Sequence, residues 1–80
     1  MSNLADVDNS VLREMLFRAL TAPFGIVLRS SQPGALVLRA RRLVERSGEE
    51  ALTRLSIRIS PMMSTEVWVS HPGSEGTLGA

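Results

Sequence analysis

The chain has 80 residues, no cysteine, a net charge of +1 and a hydrophobic content of 44%. These values predict one small folded domain, and they exclude disulfides, cysteine metal sites and cysteine nucleophiles. No apolar run approaches the about 18 residues of a membrane span and no basic-then-apolar leader opens the chain, so we expect a cytoplasmic protein.

The basic charge is concentrated in the middle of the chain. All nine cationic side chains are arginines, and residues 9–73 hold all of them against five glutamates, which leaves +4 there. We expect residues 9–73 to form the domain, and residues 1–8 and 74–80 to be flexible tails. A mildly basic domain permits an anionic partner, but it lacks the charge of a dedicated nucleic-acid binder.

The first two predicted elements are a helix and a strand. The helix runs from about Ser10 to Ala22, because leucines recur there at four-residue spacing, as in a helix packed on a sheet. Pro23 ends it. The strand, residues 24–30, has three successive apolar residues, which predicts that both of its faces are covered.

A second helix and a β-hairpin follow. The helix begins at Pro33, a residue typical of the first helical position, and stops at Gly48. Residues 52–60 alternate between apolar and polar, as in a strand with one buried face. Residues 61–65 form the predicted loop, and residues 66–70 the third strand.

The element order α-β-α-β-β predicts an α+β fold, with a three-stranded mixed sheet and both helices on one face. A right-handed crossover makes the first two strands parallel, and the hairpin pairs the second with the third. The register that keeps every aliphatic residue on one face sets Arg58 opposite Trp68. The first strand then lies at an edge, where its apolar sequence is an association hazard unless the first helix, the tails or a second copy covers it.

The polar face of this sheet is the first candidate site, with Arg54, Arg58 and Trp68. An exposed ring beside guanidinium groups can stack a nucleobase while the arginines hold phosphate. The alternatives are a cross-strand cation–π pair that only stabilises the sheet, and contact with a protein through Trp68.

A second candidate is the basic stripe of the second helix, Arg39, Arg42 and Arg46, spaced i, i+3, i+7. It could follow a phosphate backbone, or be a solvated helix face whose cations favour the C-terminal end of the helix dipole. Because the helix packs on the opposite face from Arg58, we expect the two arginine groups to lie on separate surfaces.

Self-association has four candidate residues: Val27, Leu38, Met62 and Met63. Val27 lies in the apolar edge strand, and Leu38 points away from the main apolar arc of its helix. The two methionines form the hairpin tip, where methionine suits either an adaptable binding surface or a gap in the core. A homodimer is the partner that we expect first.

Catalytic, metal and nucleotide sites have little support. His71 is the only histidine and lacks the spacing of a metal motif or an oriented nucleophile. The SSQPG segment, residues 30–34, matches no phosphate-binding loop and is typical of a capped turn. We expect no enzyme activity, no metal and no cofactor.

Three segments also share the pattern of a group of known proteins: PFGIVLRSSQPGALVLRARR, LSIRISP and EVWVS. They resemble short phage and prophage-encoded proteins of uncharacterised function, in which a PFGI-type strand leads into an Arg-rich helix and a hairpin. The resemblance covers residues 23–69 and implies a fold and a genomic setting, with no catalytic residue to carry over. Residues 34–38 replace the more polar first helical turn of that pattern.

These observations favour a small non-enzymatic binding module that contacts a protein partner, or itself, and no membrane. The alternative is a weak nucleic-acid-binding domain that uses Arg54, Arg58 and Trp68.

Overall fold

The computed structural model describes residues 7–74. It contains two helices, α1 (Asn9–Ala19) and α2 (Pro33–Ser47), and three strands, β1 (Ile26–Arg29), β2 (Ser56–Ile59) and β3 (Glu66–Ser70). The predicted α+β fold and the order of its elements are therefore confirmed. The predicted flexible tails fall largely on residues 1–6 and 75–80, which lie outside the described residues.

Helix α1 is capped by Asp8, whose carboxylate accepts the Val11 backbone N–H at 3.0 Å. It ends at Ala19, three residues before the predicted end. The backbone N–H groups of Thr21 and Ala22 both donate to the Arg18 carbonyl. Such bonds tighten a last turn, and the chain then leaves the helix because Pro23 disfavours helical geometry at the residue before it.

Helix α2 has the predicted limits. Pro33 is its first residue, and Gly48 ends it in the left-handed conformation with φ 72°. The Ser30 hydroxyl shapes the turn before it, because its Oγ accepts the Gln32 backbone N–H at 2.9 Å. The SSQPG segment is thus a hydrogen-bonded turn, but the predicted helix cap is wrong, because Gln32 at the N-cap makes no side-chain hydrogen bond to the helix.

Strand β2 is shorter than predicted. Residues 50–54 form a 3₁₀ turn, in which Leu52 is buried and the Leu55 N–H donates to the Leu52 carbonyl at 3.1 Å. Leucines three residues apart share a face in a 3₁₀ turn, so this apolar spacing also suits a turn packed under α2. The extended start that we predicted for β2 is therefore wrong.

The sheet is entirely antiparallel, with the order β1-β3-β2. The predicted mixed sheet is wrong, because β3 lies between the other two strands. Strands β1 and β2 do run in the same direction, but the crossover through α2 passes over β3. Val67 and Val69 of β3 are almost completely buried. The central position favours this burial, because β3 then has a neighbouring strand on each side.

The hairpin register is confirmed, with Ile57 opposite Val69 and Arg58 opposite Trp68. Both helices cover one face of the sheet, as predicted, and share one core with it. The core consists of buried apolar side chains from both helices, all three strands and the 3₁₀ turn: Leu12, Leu16, Ala19, Leu28, Leu36, Val37, Ala40, Val44, Leu52, Ile57, Val67 and Val69.

Candidate functional site

The face of the sheet turned away from the helices carries one row of side chains across all three strands. Val27 of β1 pairs with Trp68 of β3, which pairs with Arg58 of β2. The guanidinium carbon of Arg58 lies 5.7 Å from the centroid of the Trp68 ring. Val27 is 45% exposed, so the prediction that both faces of this strand are covered is wrong within the described chain.

The same face also carries a carboxylate next to the tryptophan. The Trp68 indole N–H donates to Glu66 Oε1 at 3.4 Å, and Glu66 lies opposite Arg29 of β1. Three members of this face were not predicted from the sequence: Val27, Arg29 and Glu66. Period-two alternation within each strand was the available signal, but without the strand order it could not join β1 to β3.

Arg54 does not belong to this face. It lies in the 3₁₀ turn, where its guanidinium is 3.8 Å from the Glu50 carboxylate and its side chain is 67% exposed. The predicted triad of Arg54, Arg58 and Trp68 is therefore wrong in one member. The reason is that the extended strand, which would have placed Arg54 beside Arg58, begins only at Ser56.

Strand β1 forms one edge of the sheet within the described residues, as the sequence predicts. Ser30 N–H donates to the Thr65 carbonyl at 2.9 Å. Since hydrogen-bonded and non-bonded pairs alternate along an antiparallel ladder, the backbone groups of Val27 and Arg29 point away from β3. The edge thus presents two donors and two acceptors beside the half-exposed Val27 side chain.

Strand β2 forms the other edge, and a side chain covers part of it. Arg41 of α2 donates from its guanidinium to the Ile57 carbonyl at 3.2 Å. Because Ser60 N–H bonds to Glu66 on β3, the same alternation places the Ile57 carbonyl on the outer edge. A groove of about 480 Å³ lies between α2 and this strand.

The other residues proposed for self-association lie on separate elements. Leu38 is 58% exposed on α2, and Met62 is 84% exposed at the hairpin tip beside Met63. The Ser60 hydroxyl accepts the N–H groups of both methionines at 3.1 Å. This holds the tip in a tight turn, with the Met62 side chain outside the core.

The basic stripe of α2 meets α1. Arg39 donates to the Asn9 side-chain oxygen at 3.2 Å and to the Val7 carbonyl. Two adjoining hollows between the helices are lined by the stripe together with residues of α1: Asn9, Arg13, Arg39, Arg42, Leu43, Arg46 and Ser47. The stripe therefore lies on a different surface from Arg58, as predicted. The contribution of Arg13 was not predicted from the sequence.

His71 has a structural place. Its Nε2 lies 3.0 Å from the Ala22 carbonyl, and its Nδ1 accepts the Gly73 N–H at 3.1 Å. An Nδ1 that accepts leaves the ring proton on Nε2, so the imidazole joins the end of β3 to the turn after α1. Ser74 is buried and donates its hydroxyl to the His71 carbonyl.

No cluster of three histidine or acidic side chains among residues 7–74 is placed to hold a metal ion. No helix in this part of the chain has the length and apolar character to cross a bilayer. Comparison of the whole chain with protein-family models, curated proteins and solved structures finds no match.

Proposed function

We propose that this chain is a small non-enzymatic binding module that self-associates through the β1 edge. The observation that supports this most directly is the half-exposed Val27, which lies beside Trp68 on a strand whose outward backbone groups have no hydrogen-bond partner among residues 7–74. Such an edge is a template for pairing with another strand. A second copy supplies a strand of the same length and chemistry.

A two-fold axis allows three symmetric registers for β1 against its copy. The registers differ in which side chains lie opposite each other. Centring the pair on Arg29 sets two guanidinium groups directly opposite, which is unfavourable. Centring it on Leu28 sets Val27 opposite Arg29. Centring it on Val27 brings the two valines together. The Val27 and Trp68 side chains of both copies then form one apolar row, with Arg58 at each end.

We therefore favour the register centred on Val27. It gives a continuous six-stranded sheet with helices on one side only. A strand of four residues buries little surface, so we expect a weak dimer that depends on concentration. Association through Leu38 or through the methionine tip is the alternative within this proposal.

Nucleic acid on the Arg58–Trp68 face is the alternative partner. The cation–π geometry favours an aromatic platform, but the Glu66 carboxylate at the indole N–H places negative charge where a phosphate would lie. Arg54 is absent from the face, and Arg29, the other arginine there besides Arg58, lies opposite the Glu66 carboxylate. Both features support protein contact over nucleic acid at this face.

Sedimentation equilibrium over a concentration series tests the dimer. Val27→Lys places like charges at the centre of the interface, so we expect dimerisation to weaken by about tenfold or more. Leu38→Lys is the matched control, because it adds the same charge at an exposed apolar residue of α2, and it should dimerise like the wild type.

Val27→Pro gives an independent test. The Val27 N–H points away from β3 at the edge of the sheet. Proline therefore removes a donor of the interface without removing a hydrogen bond between β1 and β3. A folded Val27→Pro variant should be monomeric. A wild-type chain that stays monomeric at every concentration, or a Val27→Lys variant with the wild-type dissociation constant, would show that the β1 edge is not the interface.

The cellular setting is part of the same proposal. The lack of cysteine suits a reducing compartment, which supports the cytoplasm. An origin in a phage or another mobile element rests on the resemblance of residues 23–69 alone, and stays a prediction.

A further inference from the structure

The groove between α1 and α2 concentrates positive charge. One hollow of about 220 Å³ is lined by Arg13, Leu43, Arg46 and Ser47. A second of about 130 Å³ shares Leu43 and Arg46 with it, and adds Asn9, Arg39 and Arg42. Four arginines from two helices therefore line one continuous groove, and no carboxylate of residues 7–74 lines it. We propose that this groove binds the phosphate groups of a nucleic-acid backbone.

The acidic side chains of the two helices line neither hollow, and Glu45 of α2 lines the separate groove beside β2 instead. Glu14 of α1 pairs with Arg18 at 3.3 Å, and the other ion pair among residues 7–74 joins Arg54 to Glu50. Asp8 accepts hydrogen bonds at the N terminus of α1. The positive potential of the groove is thus only partly offset, by the Asp8 charge close to Arg39.

Part of the groove is held in place before any ligand binds. Arg39 is tied to the Asn9 side chain and to the Val7 carbonyl. Arg13 lies over the Phe17 ring, with 5.9 Å between its guanidinium carbon and the ring centroid. Side chains that are already ordered lose less entropy on binding, and the guanidinium fork fits two oxygens of one phosphate.

The dimensions favour a chain of phosphates over a single one. Arg39 and Arg46 are seven residues apart on α2, which corresponds to about 10 Å along the helix axis. One strand of a duplex presents a phosphate about every 3.4 Å of its axis, so about three phosphates match this length. A concave groove suits such a strand better than it suits a flat membrane surface.

The chemistry of the lining also predicts what is not recognised. No aromatic side chain lines either hollow, and Trp68 lies on the far side of the sheet. Base stacking, the usual source of affinity for splayed single strands, is therefore missing from the groove. We infer that binding depends on backbone charge and is independent of base sequence.

The test is fluorescence anisotropy with a labelled oligonucleotide of about 12 nucleotides, single-stranded and as a duplex, between about 50 and 200 mM salt. The groove variant is Arg42→Gln with Arg46→Gln. The matched control is Arg18→Gln with Arg54→Gln, which removes the same charge from exposed arginines outside the groove.

We expect the groove variant to bind the duplex at least about tenfold more weakly, and to lower the slope of log affinity against log salt by about two. The control should change affinity by less than about threefold, because exposed charges far from the site are screened. Arg42→Lys with Arg46→Lys should keep the salt slope of the wild type, since it keeps the charge.

Several results would overturn the proposal. These are no binding by the wild type at low salt, equal losses in the groove and control variants, or a greater loss in Arg58→Gln than in the groove variant. Equal affinity for an acidic peptide with the same number of charges would show a general anion surface, and equal affinity for pyrophosphate a site for small phosphates. Val27→Lys leaves the groove intact, so failure of dimerisation is distinguishable from failure of this site.

Discussion

The cation–π pair between Arg58 and Trp68 should contribute a coupling of about 0.5–1 kcal/mol to the free energy of unfolding. The guanidinium carbon lies 5.7 Å from the ring centroid, inside the about 6 Å limit for such pairs. Arg58 is exposed, which places the expected value in the range for solvated sites. Trp68→Ala alone should cost more than this coupling, because the half-buried ring also packs beside Val27.

A double-mutant cycle separates the pair from that packing. Arg58→Ala, Trp68→Ala and the double variant are unfolded in urea at low protein concentration, so that dimerisation does not contribute. Comparing midpoints at a shared slope avoids the long extrapolation to water. The same cycle at Glu50 and Arg54, an exposed pair 3.8 Å apart, is the control and should give a coupling nearer to zero.

An Arg58–Trp68 coupling no larger than that of the control pair would refute the cation–π interaction. In that case the arginine on the outer face is not held by the ring. The exposed Arg58 side chain would then be free to contact a ligand, and a binding role for it would become the better interpretation.

Two further predictions concern backbone geometry and pH. Gly48→Ala should destabilise the fold by about 1 kcal/mol, because its φ of 72° is unfavourable for a residue with a Cβ. A Cβ there would meet no other atom, so the backbone conformation alone accounts for this cost. Gly34→Ala, inside α2 with equal space, should stabilise it by about 0.4–1 kcal/mol; urea midpoints that move the same way in both would contradict this. Hydrogen bonds from the Val11 backbone, and then from the Ser10 hydroxyl, hold the pKa of Asp8 below its usual 3.8. The ionised Asp8 therefore stabilises the folded state fully above the unfolded-state pKa, and this contribution is lost as pH falls through the lower folded-state pKa. Asp8→Asn keeps a capping side chain and should lose less stability than the wild type across that acid range; parallel losses in acid-unfolding curves would refute the assignment.

Local patterns predicted the register of the hairpin but not the order of the sheet. Alternation excludes a one-residue slip, which would place Ile57 and Val69 on opposite faces, and β2 and β3 adopt the predicted register. Strand order depends on long-range burial, and the signal was ambiguous. The apolar run in β1 is typical of an interior strand, yet Val27 is half exposed at an edge. An apolar run cannot distinguish a buried strand from an edge that a partner covers.

The candidate site shows the same division between local and long-range information. The spacing of Arg39, Arg42 and Arg46 was sufficient to predict a stripe. Arg13 lines the same groove only because of the way α1 packs against α2. A local sequence pattern does not predict this packing. The error at Arg54 arose because leucines at positions 52 and 55 suit a 3₁₀ turn, while the surrounding alternation suits a strand.

The difference between the two sheet edges supports a closed dimer over an open assembly. If β1 of one copy paired with β2 of the next, the contact would be heterologous and would extend without limit. The Arg41 guanidinium lies on the Ile57 carbonyl, so a strand that added to β2 would have to displace a charge-assisted hydrogen bond. Side chains that occupy edge groups in this way are a known protection against aggregation. Strand β1 has no such cover among the described residues, and a chain with one open edge that pairs only with its own copy stops at two.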